Sequence, residues 1–368
     1  MTMWKQLLHV GLFLGVMAGA AFWLSETTVE PFAWLRPKSE KYQPGGFYTP
    51  DGIKVPMAEI ANFLTGGGYL GGTENVHPRG RLTPGLRVKQ GYDRPRWDYF
   101  DAQGCIAIEH NSIGFREPEF AVEKPAGEFR VLALGDSFTY GSGVLQQDAW
   151  PKVLERRLAA RGQKVHVINC GFACGTYTPA GYDTWMESDG LLLQPDLVIV
   201  GFCLNDMGNG NDVPMVGYQS VEKTDWQNPL IKHLVLSYQS AQARKNAPDF
   251  VSIVKARPET WNATQGGLRN LQRILGAKNI PMVVAVLPMF SQFDLVPYPY
   301  AGLCEMIDTF CREQAMACVD LKGPFLGRSD FDLWVHPTDQ HPTPEGHRLL
   351  ADGIFDFLKQ KGWVPPTR

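Results

Sequence analysis

Residues 129–143 read Phe-Arg-Val-Leu-Ala-Leu-Gly-Asp-Ser-Phe-Thr-Tyr-Gly-Ser-Gly, an apolar run that stops at Gly135 and continues into Asp136 and Ser137. The run at 131–134 is typical of a strand buried on both faces. Ligands of open α/β sheets bind beyond the carboxyl ends of the strands, so the hydroxyl of Ser137 would stand where a substrate binds. This stretch alone leaves two interpretations open: Ser137 is a nucleophile, or it caps the next helix.

The chain beyond residue 128 alternates between strand and helix signals. Strands are predicted at 131–134, 164–169, 196–201, 281–287 and 317–321. Helical stripes are predicted at 150–158, 179–193, 261–275 and 303–314, with a last helix beginning at Thr343-Pro344. Helical crossovers favour parallel strands. The sequence therefore predicts an α/β fold, a doubly wound, flavodoxin-like parallel sheet with helices on both faces.

The sequence divides into three regions. Residues 1–24 are expected to be a transmembrane anchor or signal peptide, 25–127 a stalk and irregular extension, and 128–362 the α/β domain. Glycine clusters and scattered prolines interrupt the extension, where one or two short strands and no chemistry are expected. Residues 208–258 form an insertion, which is either part of a substrate cap or a surface feature.

The N-terminal region carries an apolar run from Leu7 to Leu24, close to the length of a membrane helix. Lys5 is the only charge before it, so the positive-inside rule places the remainder outside the cytoplasm, on the periplasmic side. An uncleaved anchor is favoured because the run continues past the small residues 18–20. A signal cleaved after those residues, which would give a secreted protein, is the alternative.

Composition restricts the class of protein. The 368 residues are 44% hydrophobic and 20% charged, which is ordinary for a globular protein. A net charge of −3 without a dense Lys/Arg run gives no basic surface for nucleic acid, so no nucleic-acid partner is expected. The seven cysteines are an odd number and do not suggest a disulfide scaffold. None has zinc-ligand spacing with histidine, so we expect no metal site and no cofactor.

Four loops carry the candidate chemistry. Ser137 follows the first predicted strand, residues 169–176 follow the second, Asn205 lies after the third, and residues 339–342 precede the last helix. In the predicted sheet these loops meet at one edge. Acyl transfer needs a nucleophile, a base, a group that orients the base, and donors for the oxyanion. The four loops supply all of these groups.

The sequences of these four loops, in this order, resemble those of the SGNH/GDSL hydrolase family, and the resemblance covers residues 128–360. The resemblance implies that Ser137 is the nucleophile and His341 the general base. It also implies that Asn205 and a backbone N–H of a glycine after the second strand bind the oxyanion. Asp339 would orient His341, completing a Ser-His-Asp triad.

Several alternatives stay open within this resemblance. The family commonly has the spacing Asp-x-x-His, whereas Asp339 is two residues before His341. A backbone carbonyl could therefore orient the imidazole instead. Gly175 fits the glycine turn of the family better than Gly171, which could serve close packing. His336, interpreted as a loop residue near the mouth of the site, and His347, interpreted as a packing residue, compete with His341 as base. Asp136 is expected to support the local turn.

The expected location and the resemblance to SGNH proteins that handle acetyl groups on cell-surface polysaccharides imply an extracytoplasmic serine esterase. It would hydrolyse acetyl esters on cell-surface carbohydrate through an acyl-serine. A lipid acyl ester is the second substrate class. One alternative is a polysaccharide O-acetyltransferase, since the same acyl-enzyme can pass its acyl group to a sugar hydroxyl. Another is a non-catalytic glycan-binding module.

Overall fold

The structure, a computed structural model, describes residues 39–40, 45–56, 59–65, 78–93, 95, 97–173, 178–207, 223–224, 249–336 and 339–364. Contacts divide the chain into a unit formed by residues 1–42 and 220–246 and a larger unit formed by 43–219 and 247–368. In the smaller unit, strand β1 (Ser39–Glu40) pairs antiparallel with β8 (Lys223–Thr224).

The remaining strands of the described chain are β2 (Gly46–Tyr48), β3 (Arg87–Gly91), β4 (Cys105–Glu109), β5 (Phe129–Gly135), β6 (Val165–Gly171), β7 (Leu197–Cys203), β9 (Met282–Leu287), β10 (Ala317–Asp320), β11 (Trp334–His336) and β12 (Asp339–Pro342). The helices are α1 (Ile60–Thr65), α2 (Ser137–Tyr140), α3 (Trp150–Ala159), α4 (Tyr182–Ser188), α5 (Phe250–Ala256), α6 (Pro258–Gly276), α7 (Ala301–Glu313), α8 (Asp330–Leu333) and α9 (Pro344–Gln360).

A five-stranded parallel sheet forms the centre of this unit, in the order β10-β9-β7-β5-β6. Counted along the chain, this is the flavodoxin-like order 2-1-3-4-5, and helices flank the sheet. The predicted fold class is confirmed. The order reverses at β5, so the loop after β5 lies at the switch point where such sheets bind ligands.

The apolar runs form strands because they are buried on both faces. All seven residues of β7 are buried, and Val131 to Leu134 of β5 are 0% exposed. Burial of each Val or Leu side chain stabilises the folded state by about 1.5–3 kcal/mol relative to leaving it exposed. Helix α9 begins as predicted, because the side chain of Thr343 accepts from the N–H of Gly346 and Pro344 takes the first turn.

The predicted helix at 179–193 is wrong as a single element. It is broken into a 3₁₀ turn (Pro179–Gly181), α4, and a second 3₁₀ turn (Gly190–Leu193). The break lies at Asp189, whose backbone leaves the helical region at φ −129° and whose carboxylate accepts from the N–H of Arg79 at 3.0 Å. The side chain of Asp189 is thus held by a distant segment, and Gly190, a poor helix former, follows it.

The N-terminal extension contributes a second sheet, in which β3 pairs antiparallel with both β2 and β4. Short strands were expected here. Arg116, which is 1% exposed, follows this sheet and donates to the backbone carbonyls of Tyr140, Gly141 and Val144 at 2.6–3.0 Å. The extension therefore holds the loop that follows Ser137.

Two predictions fall largely on residues outside the described part. The membrane segment at 1–24 lies wholly outside it, as does most of the insertion at 208–258. The end of the insertion is described and forms α5, capped by Asp249. Across the described ranges, no helix combines the length and apolarity needed to cross a membrane.

Candidate active site

Ser137 lies immediately beyond the carboxyl end of β5. Asp136 caps α2 by accepting from the N–H of Phe138 at 2.9 Å, so Ser137 is the first helical residue and not the cap. The strand can turn this tightly because residue 135 is glycine: a Cβ there would lie 2.0 Å from Oγ1 of Thr139. The turn places the hydroxyl of Ser137 at the edge of the sheet.

Ser137, His341 and Asp339 form a hydrogen-bonded row. Nε2 of His341 lies 2.7 Å from Oγ of Ser137, and Nδ1 lies 2.5 Å from Oδ1 of Asp339. A carboxylate only accepts, so Nδ1 carries the proton and Nε2 of the neutral imidazole accepts from the serine hydroxyl. The side chains of His341 and Asp339 are 21% and 18% exposed, which leaves the row open to a ligand.

The departure from Asp-x-x-His spacing has a structural reason. Asp339 and His341 are alternate residues of strand β12, and alternate side chains of a strand project from the same face. The backbone N–H of His341 also donates to Oδ1 of Asp339 at 3.0 Å. The carboxylate therefore orients the imidazole, and a backbone carbonyl is not used.

Opposite shifts in pKa accompany this pair. Burial alone would lower the pKa of His341, but the charge and hydrogen bond of Asp339 outweigh it and raise the pKa above its ordinary value. Burial alone would raise the pKa of Asp339, but His341 and the hydroxyl of Tyr92 lower it to about 2. Asp339 is thus ionised across the neutral range and stabilises a protonated His341.

Asn205 lies in the 3₁₀ turn Leu204–Met207 directly after β7. Its Nδ2 atom donates to Oδ2 of Asp136 at 3.0 Å, which ties it to the residue before Ser137. The amide nitrogen carries two hydrogens, so one remains for a ligand. Burial raises the pKa of Asp136. Asp136 thus supports the local turn and orients Asn205.

The two candidate glycines, one at the end of β6 and one after it, have different outcomes. A Cβ at Gly171 would lie 2.2 Å from the backbone N of Tyr140, so this position needs glycine for close packing. Its N–H donates to Oδ1 of Asn169 at 2.9 Å, while Nδ2 of Asn169 donates to the carbonyl of Thr139 at 3.0 Å. The backbone N–H of Gly171 therefore already has an acceptor within the protein. Gly175 lies outside the described residues, and its predicted role stays a prediction.

The other two histidines near the last helix are buried. His347 is 0% exposed, and its Nδ1 accepts from the N–H of Trp150 at 3.2 Å. His336 is also 0% exposed; it ends β11, and its Nε2 lies 2.7 Å from the carbonyl of Asp93. The interpretation of His336 as a loop residue near the mouth is wrong, because β11 pairs with β12 and draws it inward.

Sequence reasoning missed two residues of the extension that reach the site. The hydroxyl of Tyr92 donates to Oδ2 of Asp339 at 2.5 Å, and Nε2 of Gln90 donates to that hydroxyl at 2.8 Å. Tyr92 and Asp339 are separated by 247 positions. No local motif signals such a contact, so the expectation that the extension carries no chemistry requires correction.

A hydroxyl that donates to an imidazole, itself oriented by an ionised carboxylate, can attack an ester carbonyl and pass its proton to the imidazole. On a flavodoxin-like sheet with this row at its switch point, the class of protein is a serine hydrolase of ester bonds.

The family can also be named. The model of the GDSL-like Lipase/Acylhydrolase family matches residues 133–349, more than half of the chain, and the chain belongs to that family.

Several solved structures are similar to part of this chain. The psychrotrophic esterase EstA from Pseudoalteromonas sp. is 18% identical with a TM-score of 0.39, covering 63% of this chain and 97% of its own. The lipase/acylhydrolase from Enterococcus faecalis is 16% identical with a TM-score of 0.41, covering 65% and 99%. A two-domain esterase active on acetylated mannans is 18% identical with a TM-score of 0.41, covering 66% and 51%. No curated protein matched the sequence.

Proposed function

We propose that this chain is an extracytoplasmic serine esterase that removes acetyl groups from cell-surface carbohydrate through an acyl-serine intermediate. The observation that carries the catalytic part is the 2.7 Å contact between Oγ of Ser137 and Nε2 of His341. In this proposal Ser137 is the nucleophile, His341 the general base and Asp339 the residue that orients it. Asn205 and Gly175 are the proposed oxyanion donors.

The first half of the reaction forms the acyl-enzyme. Oγ of Ser137 attacks the ester carbonyl while its proton moves to Nε2 of His341. The resulting oxyanion accepts from the free hydrogen of the Asn205 amide and from the backbone N–H of Gly175. When the tetrahedral intermediate collapses, the C–O bond to the alcohol breaks, and His341 returns the proton to the leaving oxygen.

The second half releases the acid. A water molecule donates its proton to Nε2 of His341 and attacks the acyl carbon. Collapse of the second tetrahedral intermediate breaks the bond to Oγ of Ser137, which regains the proton. Asp339 stays ionised throughout and stabilises the imidazolium formed in each half.

The location and substrate rest on sequence features. The apolar run at 7–24, preceded only by Lys5, supports an anchor with the catalytic domain outside the cytoplasm. The sequence also resembles SGNH proteins that handle acetyl groups on cell-surface polysaccharides. Retention of the protein in membranes after a salt wash would agree with the anchor, whereas a soluble form beginning near Ala21 would show a cleaved signal.

The test uses the full-length protein purified in mild detergent. It is incubated with an O-acetylated polysaccharide, with and without an unacetylated glycan, and free acetate is measured against acetate transferred to the glycan. Free acetate should dominate and should disappear in Ser137→Ala. The matched control is Ser112→Ala, at an exposed serine whose hydroxyl donates to Glu119.

Other results would redirect the proposal. Acetate found mainly on the glycan would make the protein an O-acetyltransferase. Faster turnover of a long-chain acyl ester than of acetyl esters would favour a lipid substrate. Glycan binding without turnover of either ester class would leave a non-catalytic module.

A further inference from the structure

Two parts of the chain that are far apart in sequence share the carboxylate of Asp339. His341 donates to Oδ1 at 2.5 Å, and the hydroxyl of Tyr92 donates to Oδ2 at 2.5 Å. A hydrogen bond to a charged acceptor is stronger than one between neutral groups. Each oxygen of this largely shielded carboxylate therefore has its own donor.

Gln90 fixes the direction in which the tyrosine hydroxyl points. Nε2 of Gln90 donates to Oη of Tyr92 at 2.8 Å, so the hydroxyl hydrogen is left to point at Asp339. Oε1 of Gln90 accepts from the N–H of Gly143 at 2.8 Å, in the loop after α2. Both extension side chains are 5% exposed. A chain of hydrogen bonds therefore runs from the loop after α2 through Gln90 and Tyr92 to Asp339. It continues through His341 to Ser137.

The ring of Tyr92 is held as firmly as its hydroxyl. It stacks on His336 with centroids 5.1 Å apart and meets Phe100 edge-on at 5.8 Å. Burial, followed by the negative charge of Asp339, raises the pKa of Tyr92 well above its ordinary value. Tyr92 therefore keeps its proton and remains a hydrogen-bond donor at neutral pH.

We propose that Tyr92, directed by Gln90, is a positioning residue of the reaction: it holds Asp339 against His341 and limits how strongly His341 retains a proton. This inference rests on the proposed role of His341 as base. The family match begins at residue 133, so the N-terminal extension adds these two residues to a site that the family region otherwise supplies.

The hydrogen bond from Tyr92 determines in which direction the pKa of His341 changes when the hydroxyl is removed. The hydroxyl of Tyr92 draws charge from Asp339, which makes the carboxylate a weaker partner for a protonated imidazole. Removing the hydroxyl leaves Oδ2 without that donor, while Oδ1 still accepts from the backbone N–H and from Nδ1 of His341. The carboxylate then stabilises the imidazolium more strongly, and the pKa of His341 rises.

Other titratable groups face this pair. Asp136, before α2, raises the pKa of His341, and His347 of α9 interacts with it electrostatically. Arg116 acts on both Tyr92 and His347, and His336 stacks on the Tyr92 ring. None of these groups is altered by Tyr92→Phe, so a shift in that variant reports the hydroxyl alone.

The test measures His341 directly. The full-length protein in mild detergent is labelled with ¹³C at the histidine Cε1 positions, and the His341 signal, assigned with His341→Gln, is titrated by NMR. Tyr92→Phe should raise the pKa of His341 relative to the wild type. The control is Tyr99→Phe, which removes a buried hydroxyl that has no hydrogen-bond partner within the described ranges and should cause no shift.

Kinetics supply the second arm. Tyr92→Phe should lower kcat for an acetyl ester about 10-fold with little change in KM, because Asp339 loses a donor that holds it, and through it His341, in line with Ser137. This loss of alignment is expected to outweigh the stronger attraction between the carboxylate and the imidazolium. In an Asp339→Ala background the same change should alter kcat less than about twofold, because Tyr92 acts through Asp339.

The outcomes separate the inference from the proposed function. An unchanged or lowered pKa of His341 in Tyr92→Phe would overturn the inference, whatever the turnover. So would an equal effect of Tyr92→Phe with and without Asp339. Failure of the proposed function shows elsewhere, as hydrolysis that survives Ser137→Ala or an absence of ester turnover by the wild type.

Discussion

Asp339 and His341 are two positions apart in strand β12, and Nδ1 of His341 lies 2.5 Å from Oδ1 of Asp339. One strand therefore delivers the proposed base and its orienting acid as a unit. Strand β11 pairs with β12 and ends at the buried His336, which lies opposite Asp339 in the pairing. The geometry of the pair depends on strand pairing more than on loop conformation.

The first prediction separates His341 from His347. His341→Ala should lower kcat by about four to six orders of magnitude, the loss typical of a residue that acts as part of a triad. His347→Ala removes a fully buried side chain together with the acceptor for the N–H of Trp150, so it should cost about 3 kcal/mol or more of stability and leave turnover of the folded protein largely intact. The reverse ranking, measured with an acetyl ester, would mean that the base is misassigned.

The second prediction concerns Asn205. If its amide binds the oxyanion, Asn205→Ala should lower kcat by about 10² to 10³ with KM little changed, because the interaction matures in the transition state. Steady-state kinetics at fixed pH measure both constants. A higher KM with normal kcat would make Asn205 a substrate-binding residue instead.

The third prediction is the pH dependence. His341 must be neutral to act as base, and Asp339 raises its pKa, so activity should rise through a midpoint above the ordinary value of 6.5. Asp339→Asn removes the charge and keeps the shape. Its rate should fall, and its midpoint should move to lower pH. A profile of kcat/KM measures both midpoints, and a midpoint that stays fixed in Asp339→Asn would show that His341 is not the titrating group.

The fourth prediction concerns stability. The guanidinium of Arg116 donates to three backbone carbonyls in the loop after Ser137, and it stacks over the ring of Tyr140. Arg116→Met would remove the charged donor that these three carbonyls share, so the free energy of unfolding should fall by about 3 kcal/mol or more. Urea unfolding followed by circular dichroism measures the change. A loss below about 1 kcal/mol would show that the extension does not hold this loop.

The sequence predicted the sheet well because its strands are continuous apolar runs with both faces buried. It also named Ser137, Asp339 and His341, whose side chains the structure brings within hydrogen-bond distance; their roles await the experiments above. It failed where the cause was tertiary. The helix that local periodicity predicts is broken at Asp189, whose carboxylate accepts from the N–H of Arg79, 110 positions away.

The same limit explains the missed part of the site. Tyr92 and Gln90 carry no motif, and their importance arises from a contact across 247 positions. His336 was misplaced because the short pairing of β11 with β12 leaves no clear alternation in the sequence. Such contacts are set by packing between regions, which a single sequence does not display.

The central claim is that Ser137 is the nucleophile, and a mechanism-based label tests it most directly. The full-length protein is treated with a fluorophosphonate, which reacts with an activated serine, and the adduct is located by peptide mass spectrometry. One adduct should form, on Ser137, and it should be absent from both Ser137→Ala and His341→Ala. An adduct on another residue, or labelling that persists in Ser137→Ala, would contradict the claim.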